Sequence, residues 1–505
     1  MKHIFSILTT LLLTFSLFGQ DGDIDTSYPP TTNVGGSVKQ SILVGTTDAI
    51  FVGDFTSYAG QTVNRIVKIS QDGVRNTAFN CSANDIIYTI AQQPDGKFII
   101  GGSFTTINGS AMNRLARINA DGTLDNTFSV GSGFDHDVNG IDIQPDGKIL
   151  VVGKFMNYRD VTASRIVRLN ANGTTDNTFI TGTGFNGDAK VVRVNANGDI
   201  VVGGAFTAYK GISASRIIRL TSDGSIVTSF TASFNNYVND IHFYEDGKML
   251  VGGEFTELNG ATCNRFCKLN VVGTLEPYFT LGTGFNSTVQ RIAVHANRKI
   301  YLVGNFTTYN GTNAKGIIRL FESGGRDVTF VMGSGFYNAP EAIHIMPNGR
   351  VFLGGLFLYS YNGINIGNIV KLNGCPAAGP SVQTPTLINN NTQLYSFNSV
   401  HSVEWYTCNG MLVPGAQLST LTAPPGSYFI RVVDECGYAS SSCVTIPNCV
   451  VERAQVVNTC ASSYTWRDGQ TYTANNNTAT HLIPNVAANG CDSLIRLDLT
   501  FSGTV

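Results

Sequence analysis

Gly102-Ser103-Phe104-Thr105-Thr106-Ile107-Asn108-Gly109, continued by Asn113-Arg114-Leu115-Ala116-Arg117-Ile118-Asn119 and by Asp121-Gly122-Thr123-Leu124-Asp125-Asn126-Thr127-Phe128, is one copy of a unit that recurs along the chain. A Gly-x-Phe marker ends at Phe55, Phe104, Phe155, Phe206, Phe255, Phe306 and Phe357, and subtraction gives spacings of 49 or 51 residues. A period near 50 held through seven copies signals a repeat architecture. In copy three, Val138-Asn139-Gly140-Ile141-Asp142-Ile143 alternates as a half-buried strand does. Pro145-Asp146-Gly147-Lys148 turns the chain, Ile149 to Phe155 reads as a second strand, and Ser164 to Leu169 as a third. Asn172-Gly173 turns it again, into a fourth run from Thr174 to Phe179. No copy has helical periodicity.

Four antiparallel strands per copy predict an all-β fold, a seven-bladed β-propeller over residues 20–374. A linear β-solenoid is the rival, and the ends of the array discriminate. The seventh copy stops after Ile369-Val370-Lys371-Leu372-Asn373-Gly374, without a fourth strand. The N-terminal Asp21-Gly22-Asp23-Ile24-Asp25-Thr26-Ser27-Tyr28 matches the fourth-strand segment Asp121 to Phe128. Residues 21–28 are therefore expected to complete the last blade and close a ring, removing two exposed sheet edges.

The quoted turns and markers, with Gly101-Gly102-Ser103-Phe104 and Arg114-Leu115-Ala116-Arg117-Ile118-Asn119, resemble the delta-60 repeat of exported bacterial proteins, especially those of Bacteroidetes. The resemblance covers roughly residues 21–374. Copy one lacks the Pro-Asp-Gly-Lys turn, and copies six and seven carry Gly316 and Gly367 where the others carry Arg. The family implies export and the fold, and no particular activity.

Met1-Lys2-His3, the apolar run Ile4 to Phe18 and the small Gly19 form a signal peptide over residues 1–19. No later apolar run reaches 18 residues, so no transmembrane segment is expected in the mature chain, and the protein is expected to be secreted or held at the cell surface. A net charge of −2 gives no footprint for nucleic acid. A monomer is expected.

Beyond Cys375 the pattern changes. Residues 375–448 resemble an immunoglobulin-like β-sandwich module, with Trp405 as core aromatic and Tyr428 in a later strand. Residues 449–505, with Cys460, Trp466 and Cys491, resemble a small β-module of Bacteroidetes adhesin-like proteins. Such proteins often end in a sorting domain for type nine secretion; none is recognisable here, which suggests a fragment or another export route. Small modules need staples, and Cys460–Cys491 and Cys436–Cys443 are the expected disulfides, with Cys408 a rival partner for either member of the second pair.

Loops between strands two and three, and between strand four and the next copy, share one face of a propeller. Tyr58, Tyr158, Tyr209, Tyr309 and Tyr361 recur there, suited to stacking on sugar or gripping a peptide, or more plainly to covering each loop's base. A ligand breaks the symmetry of a ring, so residues peculiar to one copy are the ligand-binding candidates: Tyr158, Arg159, Asp160, Lys210, Tyr237, Asp135, His136 and Glu257. The repeated Arg65, Arg114, Arg165, Arg216 and Arg265 read as structural, bonding loop carbonyls or carboxylates. The Gly-x-Gly-Phe loops ending at Phe134, Phe185, Phe285 and Phe336 lack the helix a phosphate cradle needs, and their Phe is expected to wedge between blades.

Asp142, Arg193, His242 and His344 share one position of the innermost strand and are channel-lining candidates. A carboxylate with two His could hold a metal or move protons; a water-filled polar lining is the plainer reading. No catalytic residue, metal site or cofactor is assigned. The first functional reading is an exported binding or adhesion protein that recognises glycan or protein through the loop face. The alternatives are a polysaccharide-acting enzyme at the channel, or a structural scaffold.

Overall fold

The computed structural model describes residues 21–29, 34–195, 197–374, 386–388, 393–395, 402–409, 413, 420–434, 437–446, 450–483 and 492–502. Residues 1–20, where a signal peptide is expected, lie outside them, as do residues 375–385, Cys436 and Cys491. Every regular element among them is a strand, and they fall in two compact units, Met1–Ala377 and Ala378–Val505.

Each copy in the first unit builds one antiparallel sheet. In copy three the inner strand Val138–Ile143 pairs with the middle strand Ile149–Gly153, which pairs with the outer strand Ile166–Leu169. Middle strands such as Ile149–Gly153 are buried along their whole length, and the sequence Ile-Leu-Val-Val-Gly is apolar without alternation for that reason. Seven such sheets follow one another, a β-propeller. Each core lies between consecutive copies. Leu150, Val152 and Ile166 of copy three pack with Phe185, Val192 and Phe206 of copy four. The last such core joins Phe352 and Ile369 of copy seven to Phe51 and Val67 of copy one.

The fourth run is not a full strand. It touches the sheet by single bridges such as Leu169↔Thr175, because Asp176 curls it away. Asp176 Oδ1 accepts the Thr178 amide at 3.0 Å and its hydroxyl at 2.7 Å, a local turn that competes with the ladder. The equivalent contact in copy seven is made by the N-terminus: Ile24 bridges Leu372, and Asp25 N donates to Lys371 O at 2.8 Å. Tyr28 is fully buried edge-on to Phe352, with ring centroids 5.4 Å apart.

The second unit holds two separate apolar clusters, one on Trp405, Tyr428 and Ile430, the other on Trp466, Leu497 and Leu499. In the second cluster's sheet, Val450–Thr459 and Asp492–Phe501 run parallel. Cys443 bonds Cys408, 35 residues away, and not Cys436. Thr407 and Val444 both pair with Tyr428, one on each side, so the neighbouring Cys408 and Cys443 come to a Cα separation of 6.1 Å. Cys460 is an exposed thiol, and Cys491, its expected partner, lies outside the described residues.

Candidate binding face and channel

The residues every copy shares build the blade. Asp125 is buried between Arg117 Nε and Lys97 Nζ, each at 2.7 Å. Burial opposes its ionisation, but the bonds from Lys97 and Thr127 and the Arg117 charge outweigh that and hold its carboxyl well below the usual range. Asp176 with Arg168 and Lys148 repeats the arrangement, as does Asp327 with Arg319 and Lys299. In copy seven the carboxylate comes from the N-terminus: Asp25 meets Lys371 at 3.0 Å and Arg350 at 2.7 Å. The repeated arginines are also structural. Arg165 donates to Phe185 O at 2.8 Å and Arg65 pairs with Asp54 at 2.9 Å. Arg114 stands at φ 65° and Gly316 takes the same place at 84°, so the position demands left-handed backbone.

Most of the symmetry-breaking candidates also serve the scaffold. Tyr158 is 1% exposed and its hydroxyl donates to Gly173 O at 2.6 Å, a bond that Tyr58, Tyr209 and Tyr309 repeat to glycine carbonyls of their own copies and Tyr361 to Gly22 O of the N-terminal segment. These tyrosines cover the loop base and offer no ring to a ligand. Arg159 donates to Ser129 O at 3.0 Å, Asp160 accepts from Ser132 Oγ at 2.7 Å, and Lys210 donates to Gly224 O at 2.9 Å. Asp135 Oδ1 accepts the amides of Met156 and Asn157 at 2.9 and 3.0 Å. Asn84, Asn186, Asn235 and Asn286 staple the loops of their copies in the same manner. Of the eight candidates, Tyr237 and Glu257 present exposed surface without such a bond, and His136 is exposed with its Nδ1 accepting the Asp137 amide at 2.8 Å.

Copy seven breaks this pattern. Tyr337 stands where copies two to six place the stapling Asn or Asp. Five residues, not four, separate Gly355 from Tyr361, whereas four separate Gly304 from Tyr309. The extra residue shifts the core slot. Elsewhere the marker Phe fills it, as Phe306 does against Phe285 with centroids 4.5 Å apart. In copy seven Leu358 is the buried residue and Phe357 is 50% exposed. Phe357 and Tyr359 both sit at left-handed φ, 49° and 53°, an arrangement that costs about 1 kcal/mol or more per residue. Phe357 stacks on Tyr359 with centroids 5.6 Å apart and planes at 11°, and Tyr337 closes edge-on at 5.7 Å. Tyr359 and Tyr337 are 56% and 63% exposed. The result is an aromatic platform on the loop face. Sequence reading missed it, although the added residue and the lost Asn were its signal.

The inner strands are edges, and their free amides and carbonyls are capped by side chains of the preceding copy. Gln40 Oε1 accepts Ile90 N at 3.0 Å, Asp142 Oδ2 accepts Val194 N at 2.7 Å and Asp240 Oδ2 accepts Ile292 N at 3.0 Å. Arg193 donates to Ile241 O at 3.1 Å and to Asp240 at 2.8 Å. Asp142 and Arg193 are thus occupied. Burial pulls the imidazoles of His242 and His344 down to about 4, so both are neutral at pH 7. Among the described residues no group of three His, Cys, Asp or Glu could hold a metal, and the four channel candidates assemble no acid–base pair.

Fold and face together define a β-propeller repeat protein. Residues 50–79, 93–128, 144–179, 196–230, 245–279 and 295–330 match a family described as "Domain of unknown function (DUF5122) beta-propeller". No curated protein sequence matches the chain. Similar solved structures include the extracellular domain of the putative hybrid two component system BT4673 from B. thetaiotaomicron, at 11% identity and TM-score 0.44, covering 95% of this chain and 59% of that one. The WD40 β-propeller domain of Doa1 aligns at 12% identity and TM-score 0.43, covering 70% and 95%. PorZ, a surface component of the type-IX secretion system of Porphyromonas gingivalis, aligns at 11% and 0.36, covering 79% and 56%. The chain therefore spans under two thirds of these two bacterial proteins. No helix among the described residues is long and apolar enough to cross a membrane.

Proposed function

We propose that this is an exported, non-catalytic binding protein, secreted or held at the cell surface, that recognises a glycan through the loop face of a seven-bladed propeller. The platform of Phe357, Tyr359 and Tyr337 carries the reading. Three exposed rings, two of them on strained backbone, cost stability, and flat aromatic faces are what sugar rings stack on. The apolar leader 4–18 and the Cys408–Cys443 disulfide suit an exported protein. The repeat is of the delta-60 type, residues 21–28 act as the closing strand of a monomeric ring, and residues 375–448 and 449–505 act as an immunoglobulin-like and a small adhesin-type module.

The test is a glycan and protein array probed with the mature chain and with a Phe357→Ala/Tyr359→Ala double variant. The expected result is a glycan signal that the double variant loses while keeping its melting temperature. A signal from proteins alone, or a glycan signal the double variant retains, would overturn the glycan reading.

A further inference from the structure

The channel end that opens on the loop face is more basic than the scaffold requires. It is a cavity of about 320 Å³, ringed by residues that include Lys39, Asn139, Lys190, Asn239 and Arg291, with one carboxylate, Asp188, which Arg165 holds at 3.7 Å. Several of these are already employed. Asn139 donates to Ala189 O at 3.0 Å and Asn239 to Val289 O at 3.2 Å, which caps strand edges. Lys39 is held by Glu341 at 2.5 Å, and Lys154 at the rim by Asp137 at 3.3 Å.

Two cations remain. Arg291 donates from Nη1 to Gln290 O at 3.1 Å and has no carboxylate partner among the described residues. Lys190 bonds Asn239 Oδ1 at 2.9 Å, reaches Glu254 only at 3.8 Å, and lies 4.6 Å from the Tyr237 ring. Burial lowers the Lys190 ammonium; Glu254 and Asp188 counteract this and the Arg291 charge adds to it. Two like charges lining one partly dry cavity destabilise each other, and an anion seated between them relieves both. A guanidinium with an uncommitted edge grips a carboxylate in a planar, two-bonded fork. The cavity lies at the lower end of the range for small-molecule sites, which suits one ring-sized group better than a folded segment of protein. Gln290 adds an amide group, and Tyr237 an aromatic ring, of the kind that bind sugar hydroxyls and rings.

The geometry points to this mouth as a site for the carboxylate of an acidic sugar, with Arg291 and Lys190 as its cationic clamp and Tyr237 at its rim. The inference rests on the glycan reading above and narrows it to uronate-bearing chains.

Calorimetric titration with tri-galacturonate, its carboxyl-reduced counterpart and triglutamate separates the outcomes. The acidic sugar should bind at least about tenfold tighter than the reduced one, more weakly as salt rises. Arg291→Gln and, separately, Lys190→Met should erase that preference. Arg291→Gln should not lower the melting temperature of the free protein, since it removes a repulsion. Equal binding of the two sugars, or an unchanged preference in both variants, ends this inference and leaves the glycan reading standing. Binding of neither sugar overturns both. Tighter binding of triglutamate, lost in Arg291→Gln, replaces the sugar with an acidic peptide and so overturns the assignment.

Discussion

Copies six and seven are neighbours that share a core, yet they solve the same problems differently. Tyr301, Val303 and Ile317 of copy six pack against Phe336, Leu353 and Leu358 of copy seven. Copy six supplies its own buried carboxylate, Asp327, fills its core slot with Phe306, and staples its loop with Asn286, whose Oδ1 takes the amides of Thr307 and Thr308 at 2.9 and 3.0 Å. Copy seven borrows Asp25 from the far end of the chain, fills the slot with Leu358, and has Tyr337 in place of the staple. The first difference ties the N-terminal segment to copy seven. The other two move aromatic surface from core to solvent. What recurs is thus scaffold, and what departs is where a ligand can be read.

The largest break in this comparison comes from deleting residues 21–28. Copy seven would lose the ring of Tyr28, and Lys371, which is fully buried, would lose its carboxylate. Removing a buried aromatic costs about 3–5 kcal/mol, and stranding a buried charge costs a similar amount, about 3–5 kcal/mol. Stability should fall by more than about 5 kcal/mol in denaturant unfolding. A shift below about 1 kcal/mol would mean that the N-terminal segment does not close the ring.

The second break sets Phe306→Ala against Phe357→Ala. Both residues end a Gly-x-Phe marker, so the sequence gives them equal weight. The structure buries the first and exposes half of the second. Phe306→Ala should cost about 3–5 kcal/mol; Phe357→Ala should stay within about 0.5 kcal/mol. Equal losses would return Phe357 to the core and dissolve the platform.

These two pairs of residues mark how far the sequence was legible. The period, the strand runs and the match of residues 21–28 to Asp121–Phe128 were readable because each copy repeats one solution to one packing problem. The left-handed backbone shared by Arg114 and Gly316 was not read from the sequence, where Gly316 stood only as a departure from the repeat. The binding face was less legible. Tyr158 looked like a ligand group because the hydroxyl bond that buries it, to Gly173 O, lies 15 residues on and shows only in three dimensions. Asp142 and Arg193 looked free because the strand edges they cap belong to the next copy. Phe357 was hidden by its own marker: aligning on Phe put the extra residue after it, whereas packing puts Leu358 in the slot.

The smallest expected effect concerns the channel, where copy six has Ala293 and copy seven has His344. Burial alone lowers the His344 imidazole from 6.5 to about 4, and its Nε2 is buried without a hydrogen-bond partner. The folded state therefore holds this ring neutral, while the unfolded chain protonates it near pH 6.5. Between those values the unfolded state binds more protons, so stability present above pH 6.5 is lost as pH falls towards about 4. The loss amounts to about 3 kcal/mol at the acid end. His344→Leu should remove this slope, making the variant gain on the wild type as pH drops, and urea unfolding at pH 7 and pH 4.5 reads the difference. His242 titrates over the same window, so the variant keeps a residual slope from copy five. An identical pH dependence in wild type and His344→Leu would mean that the ring reaches solvent and protonates in place, and the channel would then be open to proton chemistry at that depth.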